Sequence, residues 1–243
     1  MYITIDNIKI HYNYFDGDPQ FPTTLLLHGW GASVDTMQGI FDNFKNQNKS
    51  VVSVDIPPFG SSDEPPNDYN IHKYARLIKN FILQLGFVCI NIIAHSFGGR
   101  ISLILASEEH SEFCIQKLVL TGCAGLKPKR GLKYHLKVCS YKIKKRLGLK
   151  QKKAGSSDYQ ALPDNLKPIF IKVVNTHLDN LLLKIKTPTL IVFGVNDKDT
   201  PPYMAKKLHK GIKNSKLIML ENASHYAFLD NPAEFNEIIN AFL

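Results

Sequence analysis

A strand that turns into a helix within one residue is the feature that most restricts this chain. The apolar run 88–94 stops at His95-Ser96, and the next run, 101–106, has helical rather than strand character. The joint reads Asn91-Ile92-Ile93-Ala94-His95-Ser96-Phe97-Gly98-Gly99-Arg100. A turn this tight puts the joint residue in a strained backbone conformation, and small neighbours two positions away on either side let it close. Here those neighbours are Ala94 and Gly98. The Ser96 hydroxyl is then held clear of the backbone at a helix N-terminus. The Phe97 amide points where negative charge would develop on a substrate oxygen. A Ser-Phe-Gly-Gly turn alone has no chemistry, so partners must come from elsewhere in the chain.

The rest of the sequence provides a frame for them. Strand-like runs at 3–14, 24–27, 51–54, 118–120, 189–193 and 217–220 alternate with helical stretches at 37–44, 71–85, 203–208 and 232–242. Within 71–85, Tyr74, Leu77, Ile78, Phe81, Ile82 and Leu85 recur at helical spacing on one face. Short strands that are apolar on both faces, separated by helices, predict an α/β fold with a mostly parallel central sheet and helices on both faces. Sites in such sheets form at the carboxyl ends of strands. His28, Asp55, Ser96, Asp197 and His225 all follow strand ends.

Residues 124–186 break this rhythm. The stretch 132–149 reads as a basic amphipathic helix and 166–183 as one or two more, with Gly155-Ser156-Ser157 and Leu162-Pro163 between them. The insert is expected to be a small helical cap over the strand ends, dividing the chain into a core of 1–123 and 187–243 and a cap of 124–186. Leu132, Leu136, Leu147, Leu149 and Phe170 are its candidate pocket walls.

The formal charge of +9 belongs to this insert: residues 126–153 hold twelve Lys or Arg and no acid. Elsewhere 18 basic residues face 21 acidic ones, a slightly acidic scaffold. The basic segment is either a solvated surface or an attractor for an anionic substrate or, less expected, an anionic membrane surface. Without an aromatic platform or a recognisable binding motif, no nucleic-acid partner is expected.

The N-terminal residues Met1-Tyr2-Ile3-Thr4-Ile5-Asp6 lack a basic region followed by an apolar stretch, and the longest apolar runs are strand-length. Cys89, Cys114, Cys123 and Cys139 lack CxxC spacing. Together these features predict a cytoplasmic protein with reduced thiols. The histidines outside the strand-end set (His11, His72, His110, His135, His177, His209) lack metal-ligand spacing, so neither metal nor cofactor is expected. Oligomeric state is not legible.

A serine hydroxyl needs a base to remove its proton, and the base needs a third group to orient it. His225, in Asn222-Ala223-Ser224-His225-Tyr226, is the candidate base. The loop Gly194-Val195-Asn196-Asp197-Lys198-Asp199 offers two acids, Asp197 and Asp199, of which Asp197 lies closer to the strand end. His28 is expected to brace its loop, His95 to be structural, Asp55 to bind loop amides and Asp63 to be solvent-exposed.

The order Ser, Asp, His and four motifs resemble the α/β-hydrolase superfamily in its compact branch with a short helical cap. The motifs are His28-Gly29-Trp30-Gly31, Asp55-x-Pro-x-x-Gly60-x-Ser62, the Ser96 elbow, and Gly194-x-x-Asp197 followed by His225. Ala94 stands where many relatives have glycine. The resemblance implies Ser96 as nucleophile, His225 as base then acid, Asp197 as its orienting group, and an oxyanion hole of the Trp30 and Phe97 amides. It implies a serine carboxylesterase acting on a small-molecule ester or acyl substrate. Relatives that cut carbon–carbon bonds commonly carry Trp after the catalytic histidine, where this chain has Tyr226. That chemistry, thioester or acyl-carrier hydrolysis, and slow-turnover ligand binding stay open as alternatives.

Overall fold

The computed structural model describes residues 1–129, 159–160 and 162–243. The first sequence run splits into β1 (Tyr2–Ile5) and β2 (Ile8–Phe15). Asp6 and Asn7 join them at φ 50° and 64°, the positive values that a two-residue hairpin turn requires. Six further strands follow: β3 (Thr23–Leu27), β4 (Val51–Val54), β5 (Cys89–His95), β6 (Cys114–Thr121), β7 (Thr189–Gly194) and β8 (Ser215–Leu220). They form one sheet in the order β1-β2-β4-β3-β5-β6-β7-β8. The β1–β2 and β2–β4 pairs are antiparallel and the rest parallel.

The described helices are α1 (Gln38–Asn46), α2 (Ile71–Gln84), α3 (Phe97–Ser107), α4 (Lys167–Asn175), α5 (Pro202–Gly211), α6 (Ala227–Asp230) and α7 (Pro232–Phe242). Alternate residues of the central strands feed two separate cores. Leu25, Leu27, Ile92, Ala94, Leu118 and Leu120 pack with Tyr74 and Phe81 of α2 and Ile101 of α3. Leu26, Ile93, Val119 and Val192 pack with Phe41 and Phe44 of α1 and Phe235 and Ile239 of α7. The period of two thus carries both faces of the sheet under helices, as the doubly apolar strands demand. Each such side chain contributes roughly 1.5–3 kcal/mol on burial, so the central strands are a stiff base for whatever stands at their ends. Asn70 starts α2, its side chain accepting from the His72 and Lys73 amides, the usual satisfaction of orphan helix donors.

Within the insert, the 166–183 reading resolves into α4 and a 3-10 turn, Asp179–Lys184. Ile169, Val173, Leu178 and Leu182 join the same core as α2 and α3. The expected helix at 132–149 lies outside the described residues, as do Leu132, Leu136, Leu147, Leu149 and Cys139.

Two expectations need correction. Val88 is 71% exposed and precedes β5 rather than starting it. Cys89 and Cys114 are not free thiols but a disulfide. They face each other in the parallel β5–β6 register, with Cα atoms 4.8 Å apart, a spacing within the range a disulfide spans. Their separation of 25 residues hid the pair. Cys123 is a free, buried thiol. No helix among the described residues is long and apolar enough to cross a membrane.

Candidate active site

β5 ends at His95 and α3 begins at Phe97, leaving Ser96 alone at the joint with φ 47° and ψ −102°. A non-glycine residue in this region costs of order 1–3 kcal/mol and persists only where its surroundings over-determine it. Those surroundings are visible. The Ser96 amide donates to Thr121 O at 3.1 Å, and the Ala124 amide donates to Ser96 O at 3.1 Å. The Gly98 amide donates to His28 O at 3.0 Å. A Cβ on Gly98 would stand 2.4 Å from the Leu27 carbonyl oxygen, which is why the position after next is glycine.

The Asp197 carboxylate, at the end of β7, is 3% exposed and fully engaged. Its Oδ1 accepts from the Asp199 and Thr200 amides at 2.9 and 2.8 Å. Its Oδ2 accepts from Thr200 Oγ1 at 2.7 Å and from His225 Nδ1 at 3.0 Å. Burial pushes the Asp197 carboxyl upward, but the bonds from His225 and Thr200 outweigh it and hold the group below its ordinary range. The structure thus joins His225 to Asp197. Asp199 is exposed and contributes its amide to Asp197. Asp197, Asp199 and His225 could bring ligating atoms within 4.8 Å of one another, yet the Asp197 oxygens and His225 Nδ1 are already committed among themselves.

Thr200, which the sequence reading missed, locks this arm: besides bonding Asp197, its hydroxyl lies 3.4 Å from His225 Nδ1. A hydroxyl three residues after a carboxylate in a turn was the available signal.

The His28-Gly29-Trp30-Gly31 loop is braced from within. His28 is fully buried; its Nδ1 donates to Gly29 O at 2.7 Å, and its Nε2 accepts from the Ile56 amide at 2.8 Å. Burial pushes its pKa down to about 4, so it is neutral near pH 7 and holds one tautomer. Gly31 takes φ 75°, and a Cβ on Gly29 would stand 2.9 Å from the His95 ring. The Trp30 ring meets Phe59, Phe97 and Phe170 edge-on, with centroids 5.0–5.1 Å apart.

Asp55 accepts from the Val34 and Ser61 amides, the loop-binding role expected of it, and Asp63 is exposed. His95 is buried behind the site, its ring 4.7 Å from that of His225 and 4.6 Å from that of Tyr226. Burial and the neighbouring His225 push its pKa down to about 3, making it a neutral backing plate.

Gly29, Trp30, Ser96, Phe97, His225 and Tyr226 line one cavity of about 480 Å³. Phe170, Val173 and Val174 of α4 wall it from the insert side, so one of the five proposed wall residues is in place. Ser96 and His225 share this wall without a hydrogen bond between their side chains among the described residues, a spacing common before substrate binds.

Comparison with known proteins agrees with the fold. A family model described as "alpha/beta hydrolase fold" matches residues 22–129, and one described as "TAP-like protein" matches residues 172–243. The chain belongs to the α/β-hydrolase superfamily. It is 25% identical to an AB hydrolase superfamily protein of Bacillus subtilis, over 90% of each chain. It is 24% identical to a monoacylglycerol lipase of Bos taurus, over 100% of this chain and 81% of that one. An esterase from Exiguobacterium antarcticum superposes with a TM-score of 0.78 at 22% identity, covering 99% of this chain and 98% of that one.

Proposed function

We propose that this α/β-hydrolase is a serine hydrolase of carboxylic esters working through an acyl-enzyme. The observation that carries the reading is Ser96, strained at positive φ, on the wall of the cavity that also holds His225, whose Nδ1 is bound to Asp197. In the reaction, His225 Nε2 takes the Ser96 proton as Oγ attacks the ester carbonyl, and the Trp30 and Phe97 amides hold the oxyanion. His225 returns the proton to the departing alkoxide, which leaves as alcohol. Water, deprotonated by His225, then splits the acyl-enzyme to release the acid and restore Ser96. Asp197 keeps the Nε2 lone pair aimed at Ser96 and stabilises the imidazolium. Ester substrates fit best because an alkoxide asks least of a site whose acid is a single imidazole.

Residues 124–186 are proposed as the cap, of which α4 is the described wall. A cytoplasmic location is proposed with it, where the Cys89–Cys114 bond would be one of the uncommon disulfides of that compartment.

The test is hydrolysis of p-nitrophenyl esters from two to twelve carbons by the parent and by Ser96→Ala, with fluorophosphonate labelling of both. Turnover and labelling by the parent alone support the reading, and the chain-length optimum reports cavity depth. Labelling without turnover of any ester would favour a ligand-binding or specialised-substrate protein on the same triad.

A further inference from the structure

Arg100 lies one helical turn beyond Ser96 on α3 and lines the same cavity while only 8% exposed. One terminal nitrogen, Nη1, donates to the Val173 and Thr176 carbonyls at the C-terminal end of α4, both at 2.9 Å. A guanidinium has five N–H donors in a planar fork. The other three, on Nη2 and Nε, have no acceptor among the described residues. No carboxylate among the described residues pairs with it either. Its titratable neighbour among the described residues is the Cys123 thiol, which burial pushes up to about 12 and so leaves neutral. Burial lowers Arg100 to about 10, still a cation near pH 7. Asp199, the carboxylate among the described lining residues, is exposed.

A largely buried cation that turns three of its five donors to the cavity is costly unless something there accepts from them. Holding two helix carbonyls does not require it, since a neutral amide donor would do. A carboxylate entering the cavity would satisfy both the charge and the free edge of the fork.

Building on the ester-hydrolase reading, we propose that Arg100 is a specificity-determining residue that binds a second, ionised carboxylate on the acyl part of the substrate, making half-esters of dicarboxylic acids the preferred class. The acyl side is assigned because Arg100 is a buried lining residue on the helix that Ser96 starts. Asp199 is an exposed lining carboxylate and would repel an anionic leaving group. The products are then a dicarboxylate and a neutral alcohol.

The experiment compares the monomethyl esters of glutarate, adipate and pimelate with their neutral carboxamide analogues (methyl adipamate for the adipate ester). Methanol release is followed for the parent, Arg100→Gln and Arg100→Lys. The parent is expected to favour the carboxylate over the amide in kcat/KM by about 10- to 100-fold, the range for a charge-assisted pair. In Arg100→Gln, which keeps a donor for the α4 carbonyls, the ratio should collapse toward one; Arg100→Lys should keep part of it. The ratio should also persist at 0.5 M salt, whereas steering by the basic segment 126–153 would fade. A parent ratio near one, or a ratio unchanged in Arg100→Gln, overturns the proposal and leaves Arg100 as an anchor of α4 only. If the variants do not fold, the parent alone decides: free adipate, but not adipamide, should slow fluorophosphonate labelling of Ser96. Absence of all labelling and all turnover would instead sink the ester-hydrolase reading itself.

Discussion

Two aspartate–histidine pairs stand at carboxyl ends of strands in this molecule, and they are built alike. After β4, Asp55 accepts from the Val34 and Ser61 amides and bonds His11 Nδ1 at 2.7 Å. After β7, Asp197 accepts from the Asp199 and Thr200 amides and bonds His225 Nδ1 at 3.0 Å. Both carboxylates are almost fully buried. The difference is what stands beyond the imidazole. His225 shares a cavity wall with Ser96, whereas His11 lies on β2 and is not among the residues lining that cavity. An Asp–His pair is therefore a general way to pin a loop to a strand end. Under the proposed function it becomes catalytic machinery only where a strained serine lines the same cavity.

The largest effect that could break this contrast is on turnover. Asp197→Asn is expected to lower kcat about 10³- to 10⁴-fold, because the imidazole loses its orienting acceptor. Asp199→Asn, which keeps its backbone amide, should stay within about threefold. Ester kinetics on both variants check this, and the opposite ranking would move the orienting role to Asp199. Asp55→Ala should show the complementary pattern. It leaves two amides without their acceptor and should cost about 2–4 kcal/mol in urea unfolding, while turnover per folded molecule falls less than tenfold.

A smaller change sharpens the comparison. Thr200→Val removes one donor from Asp197 while keeping the side chain's shape. A kcat loss of about tenfold, with KM little altered, would identify Thr200 as a positioning residue. Unchanged kcat would show that the two backbone amides suffice.

The smallest effect appears only with acid. His28 and His95 titrate below the ordinary 6.5, at about 4 and about 3. Each contributes its full stability above pH 6.5, where folded and unfolded forms are both neutral. As pH falls through 6.5 the unfolded chain takes up the proton first, and stability drops by about 1.4 kcal/mol per pH unit per group until the folded value is reached. His95→Phe should lower the pH slope of unfolding between pH 5.5 and 4.5 by about that amount. An unchanged slope would mean that His95 is protonated in the fold.

The sheet was legible because its strands are short and apolar on both faces, and the α7 span matches the sequence reading because Pro232 opens it and its apolar spacing is regular. The elbow was legible for a different reason: few residue combinations allow a strand to become a helix at one residue. What escaped were features that depend on neighbours brought together by topology. Thr200 and Arg100 carry common side chains whose roles exist only once β7 and α4 are in place. Cys89 and Cys114 pair only because β5 and β6 lie side by side in one register. His95 was read as structural, which its burial supports, but its tilted ring contact with His225 could not be seen from a position one residue before Ser96.

The Cys89–Cys114 bond has a consequence for the elbow, although it lies at the other end of the strands from Ser96. The 25-residue separation encloses β5, Ser96 and all of α3 in a covalent ring. Closing a loop of that size removes unfolded-chain entropy equivalent to about 3–4 kcal/mol, comparable to the cost of holding one serine at positive φ. The thiol balance of the surroundings therefore sets how large a reserve the protein holds against local opening around Ser96, without touching any group that lines the cavity.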